Sequence, residues 1–303
     1  APGGTEANIQ AIWVFRNEFM HKFDAKLDEI AILASEDTHY SIPKASNLLQ
    51  IDWLKIPVGF ENREIDANAL DNIISEAKNK GKKYFIAVSN MATTMFGSVD
   101  NPDDYTSALE KHNVTYRLHI DGAYGGFVYP FSNQKSNINF SNPKISSITI
   151  DAHKMLQAPY GTGVFVCRKG LIENVLTKEA EYVEGMDLTL CGSRSGANAV
   201  AVWMILFTYG AYGWFEKVSI LQMRTQFLCN ELDHLNIKYF REPFMNIVTI
   251  HAESIPEKIA EKYDLVPQQH NENNKWYKIV LMDHVEVEHL TKFIDELKAS
   301  VNG

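Results

Sequence analysis

Ser147-Ile-Thr-Ile-Asp151-Ala-His153-Lys154 is the stretch on which the fold of this chain turns. A short β-rich run delivers a lysine directly after a histidine, then breaks into Met155-Leu-Gln-Ala-Pro159-Tyr-Gly161. A desolvated ε-amine gives up its proton and attacks carbonyls, so a lysine at a strand end suits imine chemistry. Taken alone, the dipeptide describes an ordinary surface lysine, because Lys is so seldom buried. A second stretch changes the balance. Upstream, His119-Ile-Asp121-Gly-Ala123-Tyr-Gly125-Gly126 places a carboxylate where another β-run ends.

An acid at one strand end and a lysine at a neighbouring one are what pyridoxal 5'-phosphate requires. The lysine takes the aldehyde and the acid takes the pyridinium nitrogen. Further motifs extend the pattern: Gly3-Gly4-Thr5-Glu6-Ala7-Asn8, His39-Tyr40-Ser41, and Thr93-Thr94 with Gly97 and Asp100. With the two stretches above, they resemble, in order, the motifs of the group II pyridoxal-phosphate-dependent amino-acid decarboxylases. Near Glu181-Tyr182 and Gly192-Ser193-Arg194-Ser195-Gly196 the chain is similar to the histidine and serine decarboxylase branch. The resemblance covers residues 3–210 closely and the tail loosely.

The resemblance implies a type I (aspartate-aminotransferase-like) pyridoxal-enzyme fold. It would comprise an α/β large domain over residues 1–234, with a mainly parallel central sheet, and a small C-terminal α+β domain over 235–303. It also implies a carboxy-lyase that turns an L-amino acid, histidine-like or otherwise small and polar, into its amine and CO2. Lys154 would carry the cofactor and Asp121 would keep its ring nitrogen protonated. His39 would stack on the ring, and Ala123 would leave room for it. Gly4, Thr5 and His153 would hold the phosphate. Thr93, Thr94 and Asp151 complete the cofactor set, and Tyr182, on a polar loop, would return a proton to Cα. A homodimer is implied, because the family's active sites lie at the subunit interface.

The pattern between the motifs agrees with that fold. Strands at Ile30–Ser35, Trp53–Val58, Tyr84–Ser89 and Tyr116–Ile120 alternate with helices at 66–80 and 102–112, as in parallel βαβ units. Ligands of such sheets gather at the carboxyl ends of the strands, where Thr93, Thr94, Asp121 and Lys154 all fall. Thr5 is a suitable N-cap for a helix carrying Ile9, Ile12, Trp13 and Phe19. Glycines before a helix N-terminus make an anion site. Further on, the sequence predicts a strand at 162–167, helices at 171–177, 197–209 and 215–235, then strands at 238–241, 247–251 and 276–282 with helices at 256–262 and 287–299. Asn271–Asn274 reads as a hairpin loop.

Composition narrows the partners. A net charge of −9 without a sustained basic run disfavours nucleic acid and anionic membrane. The longest apolar run, Ala199–Phe207, is far short of the roughly 20 residues that span a bilayer. Cys167, Cys191 and Cys229 are odd in number and widely spaced, which suits reduced core thiols in the cytoplasm. The histidines show no metal-ligand spacing, so no metal is expected. The sequence opens inside a motif that the family precedes with a substantial segment, so a fragment, or a chain that lost that segment, is expected.

Two other readings remain. An aminotransferase would hold the substrate carboxylate with an arginine from its small domain, and another carbon–carbon lyase of the same fold is a further alternative. Arg241 is the only arginine beyond Asn230. A catalytically incomplete cofactor-binding scaffold would turn nothing over.

Overall fold

The structure is a computed structural model and describes residues 1–177, 186–270 and 273–301. In chain order the large sheet and its helices are α1 Gly4–Phe23, β1 Ile30–Ser35, α2 Ser41–Leu49, β2 Asp52–Ile56, α3 Ala67–Asn79, β3 Tyr84–Asn90, α4 Pro102–Lys111, β4 Thr115–Asp121, α5 Tyr129–Ser132, β5 Ile145–Asp151 and β6 Gly163–Cys167. The strand order is β2-β1-β3-β4-β5-β6, parallel except for β6, which runs antiparallel to β5.

Side-chain alternation explains the two-faced core. Ala31, Leu33, Phe85 and Ala87 point to one face, where they pack with Leu70 and Ile74 of α3 and Tyr105 and Leu109 of α4. Ile30, Ile32, Ile86 and Val88 point to the other, against Ile12, Phe15 and Phe19 of α1 and Ile42 of α2. Every residue of β1 is therefore buried, and its sequence, Ile-Ala-Ile-Leu-Ala-Ser, is apolar almost throughout. Asp66 caps α3 through the Asn68 and Ala69 N–H groups. Asn101 caps α4, which opens on Pro102.

Three sequence expectations need correction. Thr5 is not an N-cap: α1 begins at Gly4 behind Gly3, and Asp151 Oδ2 accepts the Gly4 N–H at 2.7 Å, doing a cap's work from a distant strand. The helix expected at 171–177 is a single 3₁₀ turn, Ile172–Val175, too short to recover the cost of nucleating a helix. Of the cysteines only Cys229 is buried. Cys167 lies on the edge strand β6 and Cys191 in a loop, both partly exposed.

After β6 come α6 Gly196–His234, β7 Tyr239–Phe240, β8 Ile247–His251, α7 Glu257–Lys262, β9 Val266–Pro267, β10 Trp276–Val280 and α8 Val287–Val301. Within α6, Gly210 has φ 58° and ψ −176°, which splits it into the two helices expected from sequence. The second sheet, β7-β8-β10-β9, is antiparallel. It packs Val248, Ile250 and Ile279 against Leu228 and Leu232 of α6 and Phe293 and Leu297 of α8. The two-residue β9, with a proline, was not visible in sequence. The expected loop at Asn271–Asn274 falls partly on residues 271–272, outside the described residues. No helix among the described residues is long and apolar enough to cross a membrane.

Candidate active site

The carboxyl ends of β1, β3, β4 and β5 open into one cavity of about 810 Å³, a size that suits a cofactor-sized ligand. Gly4, Thr5, His39, Thr93, Thr94, Asp121, Ala123, Asp151, His153 and Lys154 all line it. Tyr182, the remaining candidate, lies outside the described residues.

Asp121 is the last residue of β4 and is buried. Its Oδ1 accepts the Ala123 N–H at 3.1 Å and its Oδ2 accepts Asn8 Nδ2 at 2.8 Å. Lys154 sits on the turn after β5, its N–H bonded to Asp151 O at 3.1 Å. Its Nζ has no hydrogen bond or ion pair among the described residues. His39 follows β1. Its Nδ1 lies 2.9 Å from Ser41 Oγ and accepts the Ser41 N–H at 3.2 Å. Burial holds the His39 pKa below its usual value, with Asp121 pulling it up and Lys154 pushing it further down.

The Gly3-Gly4 entrance to α1 is packed to contact. A Cβ at Gly4 would stand 3.0 Å from Ala123 Cβ and 3.1 Å from Asp151 Oδ2. Asp151 joins this entrance to His153, whose Nδ1 is 2.9 Å from Asp151 Oδ1 but lacks hydrogen-bond geometry, leaving a buried nitrogen without a hydrogen bond. Buried polar atoms normally find partners, so such a nitrogen in a cavity wall marks a place for a ligand. Thr93 spends its hydroxyl on Ser98 Oγ at 2.7 Å, shaping the loop that Gly97 turns at φ 68°. Ala92, also on the wall, is held at φ 75°, a strained backbone for a residue with a side chain.

Lys278 and Asn8 are among the cavity residues that escaped the sequence reading. Lys278 reaches in from β10 and donates to Thr94 O at 3.0 Å. Burial lowers its pKa, and the charge of Lys154 adds to the effect. A lysine in a strand whose acceptor is a carbonyl 184 residues away leaves no local signal. Asn8 was quoted only as part of a motif. It lies one turn of α1 beyond Gly4, on the same side of the helix, and that spacing was the available clue. Arg241 does not line the cavity: it donates to Gln226 Oε1 at 2.8 Å, Gln222 Oε1 at 2.7 Å and Met245 O at 3.3 Å.

The arrangement suits a planar, phosphorylated aldehyde cofactor: a glycine-lined helix entrance, a histidine held beside Asp151, and a strand-end acid and amine. Solved structures place the fold among pyridoxal enzymes. The L-methionine decarboxylase of Streptomyces sp. 590 aligns with a TM-score of 0.80 at 18% identity, covering 99% of this chain and 77% of that one. The Burkholderia pseudomallei sphingosine-1-phosphate lyase aligns at 0.83 and 18%, covering 99% and 69%.

Residues 1–240 match the pyridoxal-dependent decarboxylase conserved domain, and the chain belongs to that family. It is 58% identical over 296 residues to a tryptophan decarboxylase of Clostridium sporogenes, covering 98% of this chain and 71% of the relative. A probable L-tyrosine/L-aspartate decarboxylase of Methanocella arvoryzae is 30% identical over 310 residues, covering 98% and 76%. The protein is thus a pyridoxal-phosphate-dependent amino-acid decarboxylase, a carboxy-lyase.

Proposed function

We propose that the substrate is an aromatic L-amino acid, L-tryptophan first, released as its amine and CO2. The observation that carries this is the 58% identity to a tryptophan decarboxylase over nearly the whole chain. It moves the substrate from a histidine-like or small polar side chain towards an indole. Ile247, Val280, Met282 and Tyr124 give the cavity apolar wall, consistent with such a side chain.

When bound, pyridoxal phosphate supplies the electron sink for the pair left behind as the carboxylate departs. In this reading Lys154 holds the cofactor through Nζ. Asp121 keeps a proton on the ring nitrogen, since a carboxylate in a partly dry site favours the charged ring. Ala123 leaves space at the wall, and His39 offers an aromatic surface to a planar ring. Gly4, Thr5 and His153 bind the phosphate, with Asp151 fixing both the Gly4 N–H and His153. Thr93 and Thr94 shape the wall opposite. Tyr182 returns a proton to the substrate's Cα as a general acid. A division at 234/235 would give a large cofactor domain and a small one that roofs the site.

The working unit in this proposal is a cytoplasmic homodimer. Supporting a second copy as partner, the first half of α6 exposes Trp203 and Phe207, stacked with centroids 5.3 Å apart, and Tyr212 beyond them. Exposed apolar patches of this kind mark interaction surfaces.

The test is a panel of amino acids with added cofactor, scored for CO2, amine and keto acid. L-tryptophan should give the highest kcat/KM, with amine and CO2 in equal amounts. A faster reaction with histidine or serine would overturn the substrate. Keto acid without CO2 would indicate an aminotransferase, and no turnover of any amino acid a scaffold.

A further inference from the structure

At the cavity wall a continuous hydrogen-bonded chain joins four elements, α1, α2, β4 and β5. Asn8 of α1 is at its centre. Its Nδ2 donates to Asp121 Oδ2 at 2.8 Å and to Ser41 Oγ at 2.9 Å, and its Oδ1 is 3.0 Å from His119 Nε2. Beyond these, His119 Nδ1 is 2.7 Å from Ser147 Oγ, and Ser41 Oγ is 2.9 Å from His39 Nδ1. Asn8, Ser41, His119 and Ser147 are buried, so water does not offer them alternative partners.

The polarity of this chain follows from one end. A carboxylate only accepts hydrogen bonds, so the amide nitrogen of Asn8, not its oxygen, faces Asp121. The amide oxygen then faces His119, whose Nε2 must carry a hydrogen. That leaves Nδ1 of His119 as a lone pair receiving the Ser147 hydroxyl. Along the other branch, Ser41 Oγ accepts from Asn8 and turns its own hydrogen to His39 Nδ1. The Ser41 N–H converges on the same nitrogen at 3.2 Å. A ring nitrogen that accepts two hydrogens carries none, so the His39 proton sits on Nε2.

We propose that Asn8 is a positioning residue that orients the Asp121 carboxylate and fixes the tautomer of His39, so that His39 presents Nε2–H to the cavity as a donor and not as a base. The functional half of this rests on the reading above, in which Asp121 and His39 face cofactor and substrate. Asn8 acts through these two side chains, to which its amide is bonded directly or through Ser41. Its amide is the one group in the chain that donates twice and accepts once, and no hydroxyl or carboxylate side chain can do that. His39 is thereby excluded as a proton acceptor at Nε2.

The experiment is nitrogen NMR of the full chain with ¹⁵N-labelled histidine, free of cofactor, at a pH where His39 is neutral. The His39 signal is assigned by its loss in His39→Gln, and that of His119 by its loss in His119→Gln. Wild type should show both residues as Nε2–H tautomers. Asn8→Asp keeps size but offers only acceptors. The Ser41 hydroxyl should then turn to the new carboxylate, His39 should shift towards a mixture of tautomers, and His119 should titrate at higher pH. A purely space-filling Asn8 would leave the His39 tautomer as it is in wild type. Finding His39 as Nδ1–H in wild type overturns the proposal even if the variant does not fold. An unchanged His39 tautomer in a folded Asn8→Asp overturns it as well. Adding pyridoxal phosphate to wild type is the separate check. If the His39 signal does not move, the site reading fails, while the hydrogen-bonded chain is judged by the tautomers alone.

Discussion

His119 and Asp100 are both buried, and burial moves their pKa values in opposite directions. His119 is pushed down from 6.5 to about 4. Its stabilising contribution is present above pH 6.5 and is lost as the pH falls through 4, about 3 kcal/mol in all. Asp100 is pushed up from 3.8 to about 6, although Oδ2 accepts from Asn90 N, Asn90 Nδ2 and the Tyr105 hydroxyl. Its contribution is present below pH 3.8 and is lost as the pH rises through 6, again about 3 kcal/mol. Between pH 4 and 6 the two oppose each other. Urea unfolding at stepped pH should therefore show Asp100→Asn losing stability on acidification more steeply than wild type, and His119→Gln less steeply. Curves parallel to wild type would contradict both assignments. Asp121→Asn tests a different point at this scale. An amide carries no charge to hold a proton on the ring nitrogen, so kcat at saturating cofactor should fall at least about a hundredfold, equivalent to roughly 2.7 kcal/mol. A rate within a few-fold of wild type would give that nitrogen another partner. Asp121 and Lys154 were legible in sequence because each follows a β-run directly. Lys278 was not, because what defines it is a carbonyl brought close only by the fold.

The entrance to α1 shows how elements, not single residues, build the site. Gly163 on β6 passes so close to Gly3 that a Cβ would stand 2.6 Å from its backbone Cα, C and O atoms. Backbone cannot step aside as a side chain can, so Gly163→Ala should push the Gly3-Gly4 segment off Asp151. Overpacking of this kind costs about 1–3 kcal/mol. The expected result is a folded protein whose affinity for pyridoxal phosphate is weakened about tenfold or more, since 1.4 kcal/mol is tenfold in Kd. Equal affinity by absorbance titration would show that the entrance does not bind the cofactor. The alternation of strands and helices was legible through residue 151 because buried parallel strands are nearly all apolar and the helices between them carry their caps. What was not legible was local competition. Thr5 has the chemistry of a cap, but the helix starts one residue earlier, at Gly4, whose N–H is taken by a carboxylate 147 residues further on. The sequence at 197–209 reads as a mostly apolar helix, and Trp203 and Phe207 on it are 60% and 77% exposed in the isolated chain. If a second copy covers them, sedimentation should give a dimer for wild type and a monomer for Phe207→Glu. A monomeric wild type would contradict the interface.

Across the whole molecule, the parallel sheet gathers four strand ends at one rim, and the small antiparallel sheet adds the opposite wall through Ile247, Lys278 and Val280. That convergence is why motifs 150 residues apart in sequence read as one site. It also explains what sequence left open. Arg241, the cation that an aminotransferase would need, is occupied by Gln222 and Gln226 away from the cavity, whereas Lys278 points into it. The cavity thus holds three candidate amines, Lys44, Lys154 and Lys278, and the central claim is that Lys154, just after β5, is the one that carries the cofactor. Reduction of the cofactor-loaded protein with borohydride, followed by peptide mapping, makes the linkage permanent and locates it. The cofactor's mass should be found on Lys154, with Lys44 and Lys278 unmodified. Finding it on Lys278, or spread over surface lysines, would contradict the account.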